Sequence, residues 1–156
     1  MAGDNGRAMH KHAQTSLLLL TLACAAGHAA APDPALVGCW RAARITSTFA
    51  SGAKAEDASG RCMLQFDERE YQSRCTTSSG TVVTTAYDYR LVRPNVYAAT
   101  MTRSTFKTDL IGVKREYEYH VEGDRLLVTA RLKPAIPAAA TTVIRVETEG
   151  TRAPCP

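Results

Sequence analysis

The sequence predicts an all-β protein: a single up-and-down antiparallel meander of about eight strands, closed into a small barrel. Three observations carry that expectation. Apolar and polar residues alternate with period two along most of the chain, and no segment keeps a helical period. Turn-forming clusters interrupt the alternation every ten residues or so. Four cysteines follow an N-terminal export segment, an even number of the kind that staples small exported β-proteins.

The export segment comes first. Arg7, Lys11 and two histidines precede the apolar run Ser16–Ala26, which is too short to span a bilayer and is followed by small residues. This is the layout of a secretory signal peptide over residues 1–30, with cleavage around Gly27–Ala31. It leaves residues 31–156 as one domain in the periplasm or outside the cell. An N-terminal membrane anchor is the plain alternative. Lipidation of Cys24 is another, although Thr21 stands where a lipoprotein signal usually has leucine; membrane attachment is expected only in that case. Arg7, Lys11 and Asp4 leave with the segment, so the formal charge falls from +4 to +3. No basic run remains, and no nucleic-acid partner is expected.

The strands follow in order. The first runs from Leu36 to Phe49, and the polar stretch SGAKAEDASG behind it reads as a flexible loop. Arg61–Phe66 and Glu70–Thr77 form a hairpin about the turn Asp67–Arg69. Thr81–Val92 follows Ser78-Ser79-Gly80, and Val96–Thr102 follows Arg93-Pro94-Asn95. Val113–Glu122 and Arg125–Leu132 flank Glu122-Gly123-Asp124. The Pro- and Ala-rich loop KPAIPAAA leads to Thr141–Thr148, and GTRAPCP ends the chain.

The first hairpin sets a disulfide. If Phe66 pairs with Tyr71, then Leu64 faces Ser73 and Cys62 faces Cys75, all on one side of the sheet. Opposed antiparallel residues bring their Cβ atoms within bridging range. Cys62–Cys75 is therefore expected, which leaves Cys39–Cys155. In the chain-entropy picture the short loop is worth about 3 kcal/mol and the long one about 4.7 kcal/mol.

Two segments share one design: YDYRLVRPNVYAAT (Tyr87–Thr100) and YEYHVEGDRLLVTA (Tyr117–Ala130). Each has a tyrosine pair, an aliphatic residue, a tight turn and a second strand. Tyr87, Tyr89 and Leu91 share one face, as do Tyr117, Tyr119 and Val121. An eight-strand meander has two open edges unless it closes, and closure gives an interior either filled or able to hold one small ligand. The inward candidates are Leu64, Phe66, Tyr71, Tyr87, Tyr89, Leu91, Tyr117, Tyr119 and Val128.

The opening Leu36-Val37-Gly38-Cys39-Trp40 resembles the start of the lipocalin-like (calycin) families, in which Gly-x-Trp begins the first strand. The resemblance implies a late-strand arginine packed over the tryptophan at the closed end of the barrel. Arg145, in Thr142-Val143-Ile144-Arg145-Val146, matches that place, and Trp40 and Arg145 would be structural. It also implies a small apolar or amphipathic ligand held in the barrel. The cysteine inside Gly-x-Trp departs from the family pattern.

Catalytic chemistry finds little support. There is no G-x-S-x-G, no C-x-x-C and no Gly-rich phosphate loop. His120 is the one histidine of the mature chain and falls on the outward face, so neither a metal site nor a cofactor is expected. Glu116 and Glu118 share the polar face of an amphipathic strand and read as solvated charge. The alternative to ligand binding is an envelope or extracellular protein partner, an inhibitor or immunity-type role. It would act through loops, above all MTRSTFKTDLIG with Phe106, Leu110 and Ile111.

Overall fold

The computed structural model describes residues 31–133 and 138–156. The signal segment expected at residues 1–30, with Cys24, lies outside the described residues, as does 134–137 in the Pro/Ala-rich loop. Among the described residues nine strands make one antiparallel sheet: β1 Gly38–Phe49, β2 Lys54–Asp57, β3 Cys62–Phe66, β4 Glu70–Thr76, β5 Val82–Arg93, β6 Val96–Ser104, β7 Lys114–Glu122, β8 Arg125–Arg131 and β9 Val143–Ala153.

Each strand from β3 to β8 pairs with the next in sequence, and β1 closes the circle between β9 and β3. One edge of β1 meets β3 from Gly38↔Phe66 to Ala42↔Cys62 and then β2 from Ile45↔Asp57 to Thr48↔Lys54. Its other edge meets β9 from Cys39↔Ala153 to Phe49↔Val143. Closure removes the free edges of the meander. The barrel thus has eight strands, with β2 a short addition beside β1.

The hairpin register is the expected one: Phe66↔Tyr71, Leu64↔Ser73, Cys62↔Cys75. Cys62–Cys75 and Cys39–Cys155 are both formed. Disulfides persist in oxidising compartments, so the pair suits an extracytoplasmic setting.

Two elements differ from expectation. The stretch read as a flexible loop contains β2, whose Lys-Ala-Glu-Asp residues are all exposed and carry no alternation. The last strand runs on to Ala153 instead of stopping at Thr148. Gly150, which reads as a turn, lies inside it, where its bare Cα sits over the Trp40 Cβ and beside Leu126.

That extension corrects the role given to Arg145. The guanidinium over Trp40 belongs to Arg152, 3.9 Å from the ring centroid. Trp40 pairs with Arg152 directly, whereas Arg145 pairs with Thr48 toward the other end of β1. Seven residues separate the two arginines along the strand. An odd spacing puts them on opposite faces, and Arg145 binds Glu147 at 2.7 Å instead. Arg152 also donates to the carbonyls of Val37 (2.9 Å) and Ala35 (2.7 Å).

Around this pair the lower end of the barrel is sealed. Leu36 is fully buried beneath it, and its carbonyl accepts the Trp40 indole N–H at 2.9 Å. Tyr119 donates its hydroxyl to Asp33 Oδ2 at 2.8 Å, and Tyr89 donates to the carbonyl of Asp67. Gly38 has φ +125°, and a Cβ there would come within 2.6 Å of Arg152 Nη1. The glycine of Gly-x-Trp is thus required twice, by its backbone and by the cation beside it.

Candidate ligand-binding site

All six tyrosines, Tyr71, Tyr87, Tyr89, Tyr97, Tyr117 and Tyr119, point into the barrel with Phe66. Strand alternation dictates this. Tyr71↔Tyr87, Tyr97↔Tyr117 and Tyr119↔Val128 are directly opposed pairs, so each tyrosine's parity fixes its neighbour's. Two stacked pairs form a platform across the middle: Tyr71 on Tyr87 at 4.4 Å and Tyr97 on Tyr117 at 5.0 Å between centroids. Tyr71 meets Tyr97 edge-on at 5.8 Å. Such pairs are worth about 0.5–1.5 kcal/mol each beyond the area they bury.

Below the platform the barrel is filled by Trp40, Tyr89, Tyr119, Leu126 and Leu36. Above it lies a cavity of about 390 Å³. Its floor is the platform, its walls include Leu64, Met101, Val128, Ala130, Val146 and Thr148, and its mouth carries Phe106, Lys107 and Leu110. Residues here are smaller than those below: Ser73 and Thr85 face each other where the lower half has aromatic rings. That is why one half of the barrel is solid and the other hollow. Two hollows on the outer surface are larger, about 580 and 600 Å³. They are bordered by charged side chains such as Glu116, Glu118, Glu68 and Arg90, and in the first of them Glu116 and Glu118 are already paired with Arg93 and Arg131.

Six of the nine lining candidates border the cavity: Leu64, Phe66, Tyr71, Tyr87, Tyr117 and Val128. Tyr89, Tyr119 and Leu91 do not; they belong to the filled end or pack against it. Sequence reasoning missed Tyr97, which is fully buried at the centre of the platform. Its register with Leu91 across the Arg93-Pro94-Asn95 turn was the available signal, obscured by a bulge between Leu91 and Arg93. It also missed Arg115, which stands opposite Ala99, two residues before Tyr117, and therefore faces inward.

Burial is the main influence on the phenols of this interior. Burial pushes Tyr71 and Tyr97 well above the ordinary phenol value. Burial also raises Tyr89 to about 12, with help from the Asp67 and Asp33 charges, and raises Tyr119, helped by Asp33. Tyr117 is raised by burial and by Tyr87, while contacts with Tyr71 and Arg115 pull it back. His120 is exposed on the outer face, and Glu116 and Glu118 are outside as well. Among the described residues no group of three or more His, Cys, Asp or Glu assembles as a metal site.

Comparison with known structures places this architecture. A lipocalin-like protein from Bacteroides uniformis superposes with a TM-score of 0.50 at 9% identity, covering 76% of this chain and 99% of that one. The fold is lipocalin-like. An uncharacterized protein from Bacteroides eggerthii gives a TM-score of 0.47 at 9% identity, over 75% of this chain and 98% of that one. No protein-family model and no curated protein matches the sequence. In this lipocalin-like barrel the Trp40–Arg152 pair seals one end, and the hollow opens at the other.

Proposed function

We propose that the chain is an exported lipocalin-like binder that holds one small apolar or amphipathic molecule in the upper half of its barrel. The observation that carries this reading is the division of the interior: a sealed aromatic lower half under an apolar hollow of about 390 Å³. Ligand pockets run to roughly 300–1,000 Å³ and combine apolar walls with a few placed polar groups. The phenol hydroxyls of the platform and the side chains of Ser73 and Thr85 supply such groups. The role is binding, without a catalytic step. The leader-like residues 1–30 and the two disulfides support a periplasmic or secreted location, with attachment to a membrane only if Cys24 is lipidated.

A neutral apolar fluorophore tests this directly. N-phenyl-1-naphthylamine is expected to bind one-to-one with a blue-shifted, saturable signal. Ser73→Phe, which places a ring in the hollow, should weaken it by about tenfold or more, equivalent to about 1.4 kcal/mol, with the far-UV circular dichroism unchanged. No saturable binding by the wild type, or full binding by the variant, rules the reading out.

A second reading draws on the β6–β7 connection. Phe106 and Ile111 there are 54% and 46% exposed, and exposed apolar groups on a loop are a recurring feature of protein contact sites. An envelope or extracellular protein partner docking on them would cover the mouth of the hollow, since Phe106 and Leu110 also border it.

A further inference from the structure

We propose, building on the binding reading above, that the molecule held in the hollow is an organic anion, a carboxylate or sulfonate on an apolar body, with its charged group seated against Arg115. The charge inventory of the cavity carries this. Among the described residues its lining holds two cations, Arg115 and Lys107, and no aspartate or glutamate. The carboxylates of the neighbouring strands stand on the outside of the barrel, where Glu116, Glu118 and Glu149 sit beside Arg93, Arg131 and Arg44. Among the described residues no carboxylate lies within 4.0 Å of Arg115 or Lys107.

Position makes Arg115 the seat. It is half-buried, it faces inward by register, and the residue across from it is Ala99, whose small side chain leaves room beside the guanidinium. Tyr117 is the next residue of the same strand face and also borders the cavity. A cation at the wall of an apolar cavity has lost part of its hydration, and an unpaired charge there is costly. An anion arriving with the ligand restores the pairing, and the planar guanidinium fork matches two oxygens of a carboxylate or sulfonate. Lys107, exposed at the mouth with its ammonium 5.5 Å from the Phe106 ring centroid, lies where it would attract the same charge on entry. The apolar body then rests against Leu64, Met101, Val128 and Val146.

Two probes with the same ring system separate the outcomes. N-phenyl-1-naphthylamine is neutral, and 8-anilinonaphthalene-1-sulfonate is its sulfonated form. The wild-type protein should bind the sulfonate about tenfold or more tighter than the amine, the range of a charge-assisted contact. Arg115→Met should bring the ratio of the two affinities to about one, whatever it does to both together. Equal wild-type affinities overturn the proposal with no variant needed, while leaving the binding reading intact. A preference that survives Arg115→Met also overturns it, because the charge is then read elsewhere. Failure of both probes to bind the wild type overturns the binding reading itself.

Discussion

Trp40→Ala is expected to lower the stability of the protein by about 3–5 kcal/mol, the range for removing a large aromatic side chain from a packed core. Trp40 is fully buried, and its loss acts three times over. It opens a void above Leu36 and beside Leu126, it leaves the Leu36 carbonyl without the indole N–H, and it strips Arg152 of the ring 3.9 Å away. The last contact alone is worth about 0.5–2 kcal/mol. Arg152→Met should therefore cost about 1–3 kcal/mol, since the Val37 and Ala35 carbonyls lose their donor as well. Arg145→Met should cost less than about 1 kcal/mol, because its ion pair with Glu147 lies on the outer face. Urea unfolding followed by far-UV circular dichroism ranks the three. A loss below about 1 kcal/mol for Trp40→Ala, or equal losses at the two arginines, contradicts the account of the sealed end.

The second large effect is alkaline. Tyr71, Tyr89, Tyr97, Tyr117 and Tyr119 all hold their protons more tightly in the folded chain than the ordinary phenol value of 10.0. Below that value both the folded and the unfolded chain keep these protons, so stability does not change with pH on their account. Above it the unfolded chain ionises first, binds fewer protons than the folded one, and is favoured as pH rises. The phenols' contribution should stay flat up to about pH 10, and stability should fall steeply beyond it as several of them act together. Phenolate absorbance near 295 nm should then rise in one cooperative step together with loss of the far-UV signal. A gradual, non-cooperative rise near pH 10, with the fold intact, would show that these rings are not shut in the barrel.

Much of this architecture is legible in the sequence because period-two alternation and turn chemistry act locally. The Asp67–Arg69 turn fixes the β3–β4 register, and with it the Cys62–Cys75 bridge. The tyrosine pairs Tyr87/Tyr89 and Tyr117/Tyr119 announce an inward face by spacing alone. What escapes the sequence depends on the shape of the closed barrel. Gly150 looks like a turn until Trp40 is seen to pack against it, so β9 reads short and Arg145 is assigned a place that Arg152 fills. The bulge between Leu91 and Arg93 hides the parity of Tyr97. Arg115 carries the inward parity of Tyr117, yet a charge at a strand's start resembles a solvated residue. The division into a filled and a hollow half follows from which rings stack across the barrel, and no single strand contains that information.

Native mass spectrometry of the protein, produced from its full sequence and purified without detergent, tests the hollow barrel most directly. The protein should be four hydrogens lighter than its reduced form, from the two disulfides. It should carry an additional mass of roughly a few hundred daltons, the size that suits a pocket of this volume, which departs on denaturation. A bare, oxidised monomer that also takes up no amphiphile added in excess would contradict the hollow barrel.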